Sequence, residues 1–542
     1  MKKIVSLLLI LAMVLSVIGC GSSAPAATEN KTETTDASAV IEQEKAQTGD
    51  VVAKEGGSMV IGMSTDASQA AAWRMRSGQE KLVFSATYET LMSITDDGEI
   101  VGNLAESLVA DEANKTYTVT LRPDVYFSDG SHLDADVLLW NFENFKENSQ
   151  TSATHFGSVD HFEKTGDYTV VIYLSEWNTQ IPYSLNSVAG LMYSKKAFDE
   201  NGYDWCLENA VGTGPYVQTE WIHDDHISFA KNENYWNKEN APKLDKLTFR
   251  VIADEMSAQA ALISGDINVY YGASETLQDT LEKAGFVRAT NQMWYTILFL
   301  IYASDVEGSP LQDVRVRQAL SYAIDSDTIA KTIGKGKVFV SKEYAVEGTM
   351  FYNPDVEGYG YDVEKAKALL AEAGYPDGFA TTIYCGVDQA LGDYLVAIQG
   401  YLKEIGVDLA IEQMETAEWR STGIYDIPEG MILAGHGFGA NLVNQQVSNF
   451  SKRAKAGVGM LKEVKLHPDD LDECIMNALQ ASDTAEMLKN EFEAQRLIID
   501  EYCLGYPLGM KASQVYMAAQ DVNVAGFETM NEYVDFTQIS FK

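Results

Sequence analysis

The sequence predicts a mixed α/β protein made of two or three lobes, and three observations carry that expectation. Strand-type alternation and helix-type spacing follow one another along the whole chain. From about residue 57 the body runs for about 485 residues, with 46% hydrophobic and 10% aromatic residues in the chain overall, more than one ordinary domain holds. No internal repeat of the kind that builds solenoids interrupts it, and no second long apolar segment follows the first.

The first element is a tail. "IVSLLLILAMVLSVIG" follows Lys2 and Lys3 and is about 16 residues long, short of the roughly 20 that cross a bilayer core. A charged start and a short apolar middle read as a signal peptide over 1–19. Val17, Ile18 and Gly19 stand before Cys20 in a pattern that resembles a bacterial lipoprotein processing box, which implies a diacylglycerol thioether on Cys20. Two acyl chains give stable anchoring. Residues 20–56 are rich in Ser, Thr, Ala and Glu and hold no aromatic residue, so they cannot bury a core. As a flexible linker they reach roughly 30 to 36 Å.

The formal charge of −39 argues against nucleic acid and anionic headgroups as partners of the body, so the membrane is expected to be met through the lipid alone. Cys206, Cys385, Cys474 and Cys503 have no metal-type spacing. Export permits disulfides, though scattered buried thiols are the commoner outcome of such spacing.

In the body, "KTYTVTLRPDVYFSDGSHL" (115–133) alternates Tyr117, Val119 and Leu121 against Thr118 and Thr120, with turn signals at Pro123 and Asp129-Gly130, which predicts a half-buried hairpin. Asp134 then caps a helix with Leu138, Phe142 and Phe145 on one stripe. Residues 216–235 read as two strands around a polar turn. "KLTFRVIADEMSAQAALISGDINV" (246–269) gives a strand, a helix with Met256, Ala260 and Ile263 on one side, and a stop at Gly265. Asp313 caps a helix facing Val316, Leu320 and Ala323 inward. Residues 362–379 place Ala366, Leu369, Leu370 and Ala373 at helical spacing, ended by Gly374 and Pro376.

Seven stretches in this order resemble the family 5 solute-binding proteins of ABC importers, the group that includes oligopeptide- and dipeptide-binding proteins. They are "YETLMSITDDGEIVGNLAESL" (88–108), "TYTVTLRPDVYFSDGSHLDADVLLWNFE" (116–143), "VGTGPYV" (211–217), "NENYWNKENAPKLDKLTFRV" (232–251), "LQDVRVRQALSYAID" (311–325), "DVEKAKALLAEAGYPDGF" (362–379) and "YLKEIGVDL" (401–409). The resemblance implies an α/β fold like the type II periplasmic binding proteins, with two hinged lobes and an inserted domain. Lobe I is then expected from 57–95, 206–298 and 506–542, domain II from 96–205, and lobe III from 299–505, with hinge crossings near 298 and 505. It also implies capture of a small ligand between closing lobes, a peptide first and an oligosaccharide second, and delivery to an ABC permease and its ATPase subunits. A monomer is expected. The same cleft also serves a receptor that presents its ligand to a sensor.

The family carries a Gly-Trp-x-x-Asp segment in lobe III, whose Asp pairs with the amino terminus of a peptide ligand. The corresponding stretch here is "ILAGHGFGANLVN" (432–444), with His436 in the tryptophan place and Gly439 in the aspartate place. A buried ammonium with no carboxylate beside it is strongly disfavoured, so either Asp66 serves or the ligand has no free amine there. Ligand contact is expected from Asp66, Trp73, Trp294, Tyr295, Trp419, His436, Phe438 and Asn441, each weighed against plain core packing. Arg74 and Arg76 are candidate carboxylate receivers, weighed against solvated helix arginines. "HDDH" (223–226) has the look of a metal pair but falls on a hairpin turn, where polar residues need no further reason, so no metal and no cofactor are expected. "GHGFG" lacks the Lys of a phosphate cradle. No Gly-x-Ser-x-Gly elbow or His-Glu-x-x-His occurs, so no catalytic residue is assigned.

Overall fold

The computed structural model describes residues 54–95, 98–292, 295–347, 349–387, 391–438, 442–453 and 459–542. The signal segment, Cys20 and the linker to residue 53 lie outside the described residues, as do Trp294, Gly439 and Asn441. Among the described residues no helix is long and apolar enough to cross a membrane.

Three sheets organise the body. The first, here lobe I, has seven strands in the order Val287–Thr290, Val515–Ala518, Val269–Tyr271, Ser58–Met63, Lys246–Val251, His226–Lys231 and Tyr216–Ile222. Ser58–Met63 runs parallel to both neighbours, and Met59, Ile61 and Met63 are fully buried on one face. Gly62 lets the other face close: a Cβ there would stand 2.8 Å from Ile267 Cδ1. The second sheet, domain II, is antiparallel, in the order Ala105–Asp111, Thr116–Leu121, Thr169–Leu174 and Val159–Lys164.

The third sheet, lobe III, is ordered Asp408–Met414, Ala380–Gly386, Met431–Phe438, Tyr295–Tyr302 and Gly505–Ala512. Its fourth strand, "YTILFLIY", sends Tyr295, Ile297, Phe299 and Ile301 into one core and Leu298, Leu300 and Tyr302 into another. A strand covered on both faces has no polar side to show, hence the unbroken apolar run.

Tyr295–Tyr302 and Gly505–Ala512 both lie in the third sheet, while Val287–Thr290 and Val515–Ala518 lie in the first, so the crossings expected near 298 and 505 fall inside strands of the third sheet. The reason is register: Tyr295–Ile301 and Gly505–Ala512 pair with each other as one ladder, with one shift at Leu298/Phe299. Thr116–Leu121 buries Tyr117, Val119 and Leu121 as expected, but its partners are 105–111 and 169–174. The stretch 122–133 contributes a single bridge, Tyr126 with His132. Helix Glu255–Ser264 ends at Gly265 with φ +81°, yet it buries Ala258 and Leu262 while Met256 and Ile263 are 72% and 61% exposed. All four body cysteines are free, three of them buried.

Local signals act as chemistry dictates. Asp134 accepts from the amides of Asp136 (3.0 Å) and Val137 (3.1 Å) to start helix Ala135–Asn148. Asp313 accepts from Arg315 N (2.9 Å) to start helix Val314–Tyr322, whose Val316 and Leu320 are fully buried, as is Ala323 just beyond its end.

Candidate functional site

A cavity of about 370 Å³ lies where the three sheet units meet, within the ~300–1,000 Å³ typical of small-ligand sites. Lobe I supplies Met75, Arg76, Lys81 and Glu532. Domain II supplies Thr151, Thr154, His155, Ser187 and Val188. Lobe III closes the far side with Ile424, Tyr425, Gly437, Gln445, Ser448, Asn449 and Met460.

The lobe I wall is fixed by a capping box. Ser77 starts helix Gly78–Phe84, its hydroxyl accepting from Glu80 N, while the Glu80 carboxylate accepts from Arg76 N (2.7 Å) and Ser77 N (2.9 Å). This turn holds Arg76 at the cavity and sets Lys81 one turn on. Lys81 pairs with Glu532, which is 3% exposed and also accepts from Ser187 Oγ at 2.6 Å. Across from them the short helix Ser152–Phe156 presents His155, its ring edge-on to Phe145 and its Nδ1 buried without a partner. Burial pulls the His155 pKa down to about 4, so the imidazole is neutral at pH 7.

Strand Met431–Phe438 reaches the cavity through Gly437, and helix Leu442–Asn449 lines it with Gln445, Ser448 and Asn449. Two buried ionisable groups brace this wall from behind. Lys465 Nζ donates to the carbonyls of Asn449 (2.7 Å) and Met460 (2.6 Å) over the Phe450 ring, and burial pulls its pKa down to about 7. Glu491 accepts from Gln446 Nε2 (2.5 Å) and Gln495 Nε2 (3.1 Å), and burial pushes its pKa up to about 8. Between pH ~4.5 and ~8 the folded state therefore keeps a proton that the unfolded chain has released, so this group's contribution to stability falls as pH rises. Glu491→Gln is expected to gain about 4 kcal/mol on the parent between pH 5 and pH 9, read from urea midpoints at both.

Domain II and lobe III also touch directly. Trp177 Nε1 donates to Ala481 O (2.8 Å) and Thr179 N to Leu479 O (2.8 Å). Arg453 Nη1 pairs with both oxygens of Glu176 at 2.6 and 2.8 Å.

Several residues expected to touch ligand are engaged elsewhere. Trp73 is a core residue, 3% exposed and edge-on to Trp140, Tyr193 and Phe198. Asp66 ties down the hairpin of lobe I, its Oδ2 accepting from Trp221 Nε1 and Asp224 N, both at 3.0 Å. Trp419 is 2% exposed inside lobe III, and Tyr295 packs edge-on to Phe339. Large rings are drawn inward because they bury the most area. The backbone of His436 and Phe438 flanks Gly437 at the cavity wall. His223 faces Glu208 and Asp66, and His226 faces Glu220 and Asp225, at the hairpin turn, and among the described residues no group of three or more metal-type side chains forms.

Sequence reasoning missed Lys81, His155, Ser187 and Glu532. Lys81 and Glu532 are 451 residues apart, and no local signal joins them. A second cavity of about 200 Å³ surrounds Glu89, whose carboxylate accepts from Thr213, Tyr235 and Trp236 and is pushed up to about 7 by burial. No residue of lobe III lines it.

Comparison with known proteins agrees with this geometry. The glutathione-binding protein GsiB of Pectobacterium atrosepticum is 26% identical over 455 residues, covering 83% of this chain and 87% of that protein. GsiB of Escherichia coli O1:K1 / APEC is 24% identical with the same coverage. DppA from Helicobacter pylori, solved with the peptide STSA, superposes with a TM-score of 0.74 at 24% identity over 93% of this chain and 99% of that one. NikA from Brucella suis, solved with Fe(III)-EDTA, reaches 0.78 at 21% identity over 90% and 100%. The fold is thus that of the type II periplasmic binding proteins. Residues 99–456 match the family described as bacterial extracellular solute-binding proteins, family 5 middle, and this chain belongs to that family.

Proposed function

We propose that this protein captures a small peptide-type solute outside the cell by closing lobe III against lobe I and domain II, and hands it to an ABC permease with its ATPase subunits. The cavity walled by all three units carries this reading, because a site completed from separate bodies is one that forms as they close. Relatives named for glutathione and neighbours solved with peptides support the peptide class. The protein works as a monomer moored to the outer face of the membrane through Cys20, which raises its concentration near the transporter. It performs no covalent chemistry, and micromolar affinity, about −8 kcal/mol, suits the task.

Thermal shift with glutathione, Ala-Ala, Ala-Ala-Ala and xylotetraose tests the class, since binding the folded state raises the midpoint. A rise with xylotetraose alone would replace the peptide class by sugars. Closure has its own check. Trp177→Phe removes one interlobe donor and keeps an aromatic ring against Tyr117, so the open-to-closed ratio is expected to rise about fivefold, roughly 1 kcal/mol. Small-angle X-ray scattering of the ligand-free protein reads this as a larger radius of gyration, and an unchanged radius removes the contact from the closure equilibrium.

A further inference from the structure

We infer that the cleft selects a carboxylate ligand through Arg76, with His155 as a neutral hydrogen-bond partner of the same ligand, and that its described wall gives no counter-charge to a ligand amine. This rests on the receptor reading above and narrows it to a chemical class.

Three described lining residues carry charge at pH 7: Arg76, Lys81 and Glu532. Lys81 and Glu532 face each other, and Glu532 spends its second oxygen on Ser187. The Arg76 guanidinium has one protein partner, the side-chain oxygen of Gln150, and among the described residues no carboxylate meets it. One uncompensated positive charge therefore faces the cavity of a protein whose overall charge is −39. A guanidinium fork matches a carboxylate with paired N–H donors, which an ammonium cannot accept and a sugar hydroxyl accepts without the opposite charge.

The second observation is independent of charge. His155 is 5% exposed, lines the cavity and keeps a buried ring nitrogen with no protein partner. Burying a polar atom unpaired is unfavourable unless something in the cavity meets it. A neutral imidazole offers one donor and one acceptor, so it serves a carboxylate or a peptide group without adding charge. On the opposite wall Tyr425, Gln445 and Ser448 are all uncharged. An ammonium buried among them would find no free anion among the described lining residues, since Glu532 is already held.

A square of four small peptides separates the two ends. N-acetyl-Ala-Ala, N-acetyl-Ala-Ala-amide, Ala-Ala and Ala-Ala-amide are titrated calorimetrically, with glutathione and citrate as further carboxylates and xylotetraose as a neutral solute. The expected result is at least tenfold tighter binding of each acid than of its amide, with acetylation causing no loss. Arg76→Gln should bring acid and amide together, while Arg76→Lys restores part of the difference. His155→Phe should weaken the acids several-fold and leave the acid-over-amide preference in place. Arg76 is exposed, so its variants are expected to keep the parent melting midpoint. Equal binding of acid and amide, an Arg76→Gln loss shared by both, or a requirement for the free amine each overturns the inference. Binding of xylotetraose with no carboxylate bound overturns it and leaves the receptor reading intact, whereas silence from every probe counts against that reading as well.

Discussion

Replacing Arg317 by alanine is expected to lower the unfolding free energy by about 4 kcal/mol, the largest loss from any single change considered. Arg317 is 1% exposed, and its guanidinium donates to four main-chain carbonyls: Leu311 (2.7 Å), Gln312 (3.0 Å), Tyr502 (2.5 Å) and Cys503 (3.0 Å). It thus bolts the entry of helix Val314–Tyr322 to the segment before the last strand of lobe III. Cys503 sits at φ +42°, in the left-handed region a side chain rarely takes, and the guanidinium holds the carbonyls on both sides of that peptide. Alanine would leave the Leu311 and Cys503 carbonyls buried and unmet, and would release those of Gln312 and Tyr502, which are part-buried. Lysine cannot fork across them, so Arg317→Lys should recover less than half of the loss. Urea unfolding measures both, and a loss under about 1 kcal/mol for Arg317→Ala would show that water replaces the guanidinium.

Lys81→Met is expected to cost about 3 kcal/mol, because it strips the cation from a carboxylate that is only 3% exposed. Glu532 would keep only the Ser187 hydroxyl. The double variant Lys81→Met, Glu532→Gln should regain most of the stability, since the uncompensated charge is then gone. Chemical denaturation of the two single variants and the double variant gives the coupling directly. Equal losses that simply add would mean the two side chains act separately. The same pair borders the ligand cavity, so the single variant should also bind the ligand more weakly.

Much of the fold was legible in the sequence because its cues are local. An aspartate before an apolar stripe starts a helix whatever lies elsewhere, as Asp134 and Asp313 do. Gly265 likewise ends its helix where the sequence places the stop. Periodicity was less informative about which face turns inward. The helix at 255–264 is apolar on more than one side, and the sheet it packs on, distant in sequence, chose Ala258 and Leu262 over Met256 and Ile263. The crossings expected near 298 and 505 fall inside strands for a related reason: an apolar run with no polar face reads the same at a hinge and inside a sheet. Within the candidate site, the stretch around His436 was visible through the family resemblance. Lys81, His155 and Glu532 were not, because their meaning comes from tertiary proximity alone. Aromatic abundance pointed the wrong way, since Trp73 and Trp419 serve the core.

The bonds between domain II and lobe III have a kinetic corollary. Ala478 and Leu479 are the last residues of helix Asp469–Leu479, and their carbonyls accept from Thr179. Such end carbonyls are satisfied by water as readily as by protein. Separating the two faces therefore trades one set of acceptor contacts for another at about 1 kcal/mol per bond. An empty receptor gains little by staying shut, and the dwell time of the shut form is governed by what occupies it, so cargo can depart without any group having to be torn from a deep well.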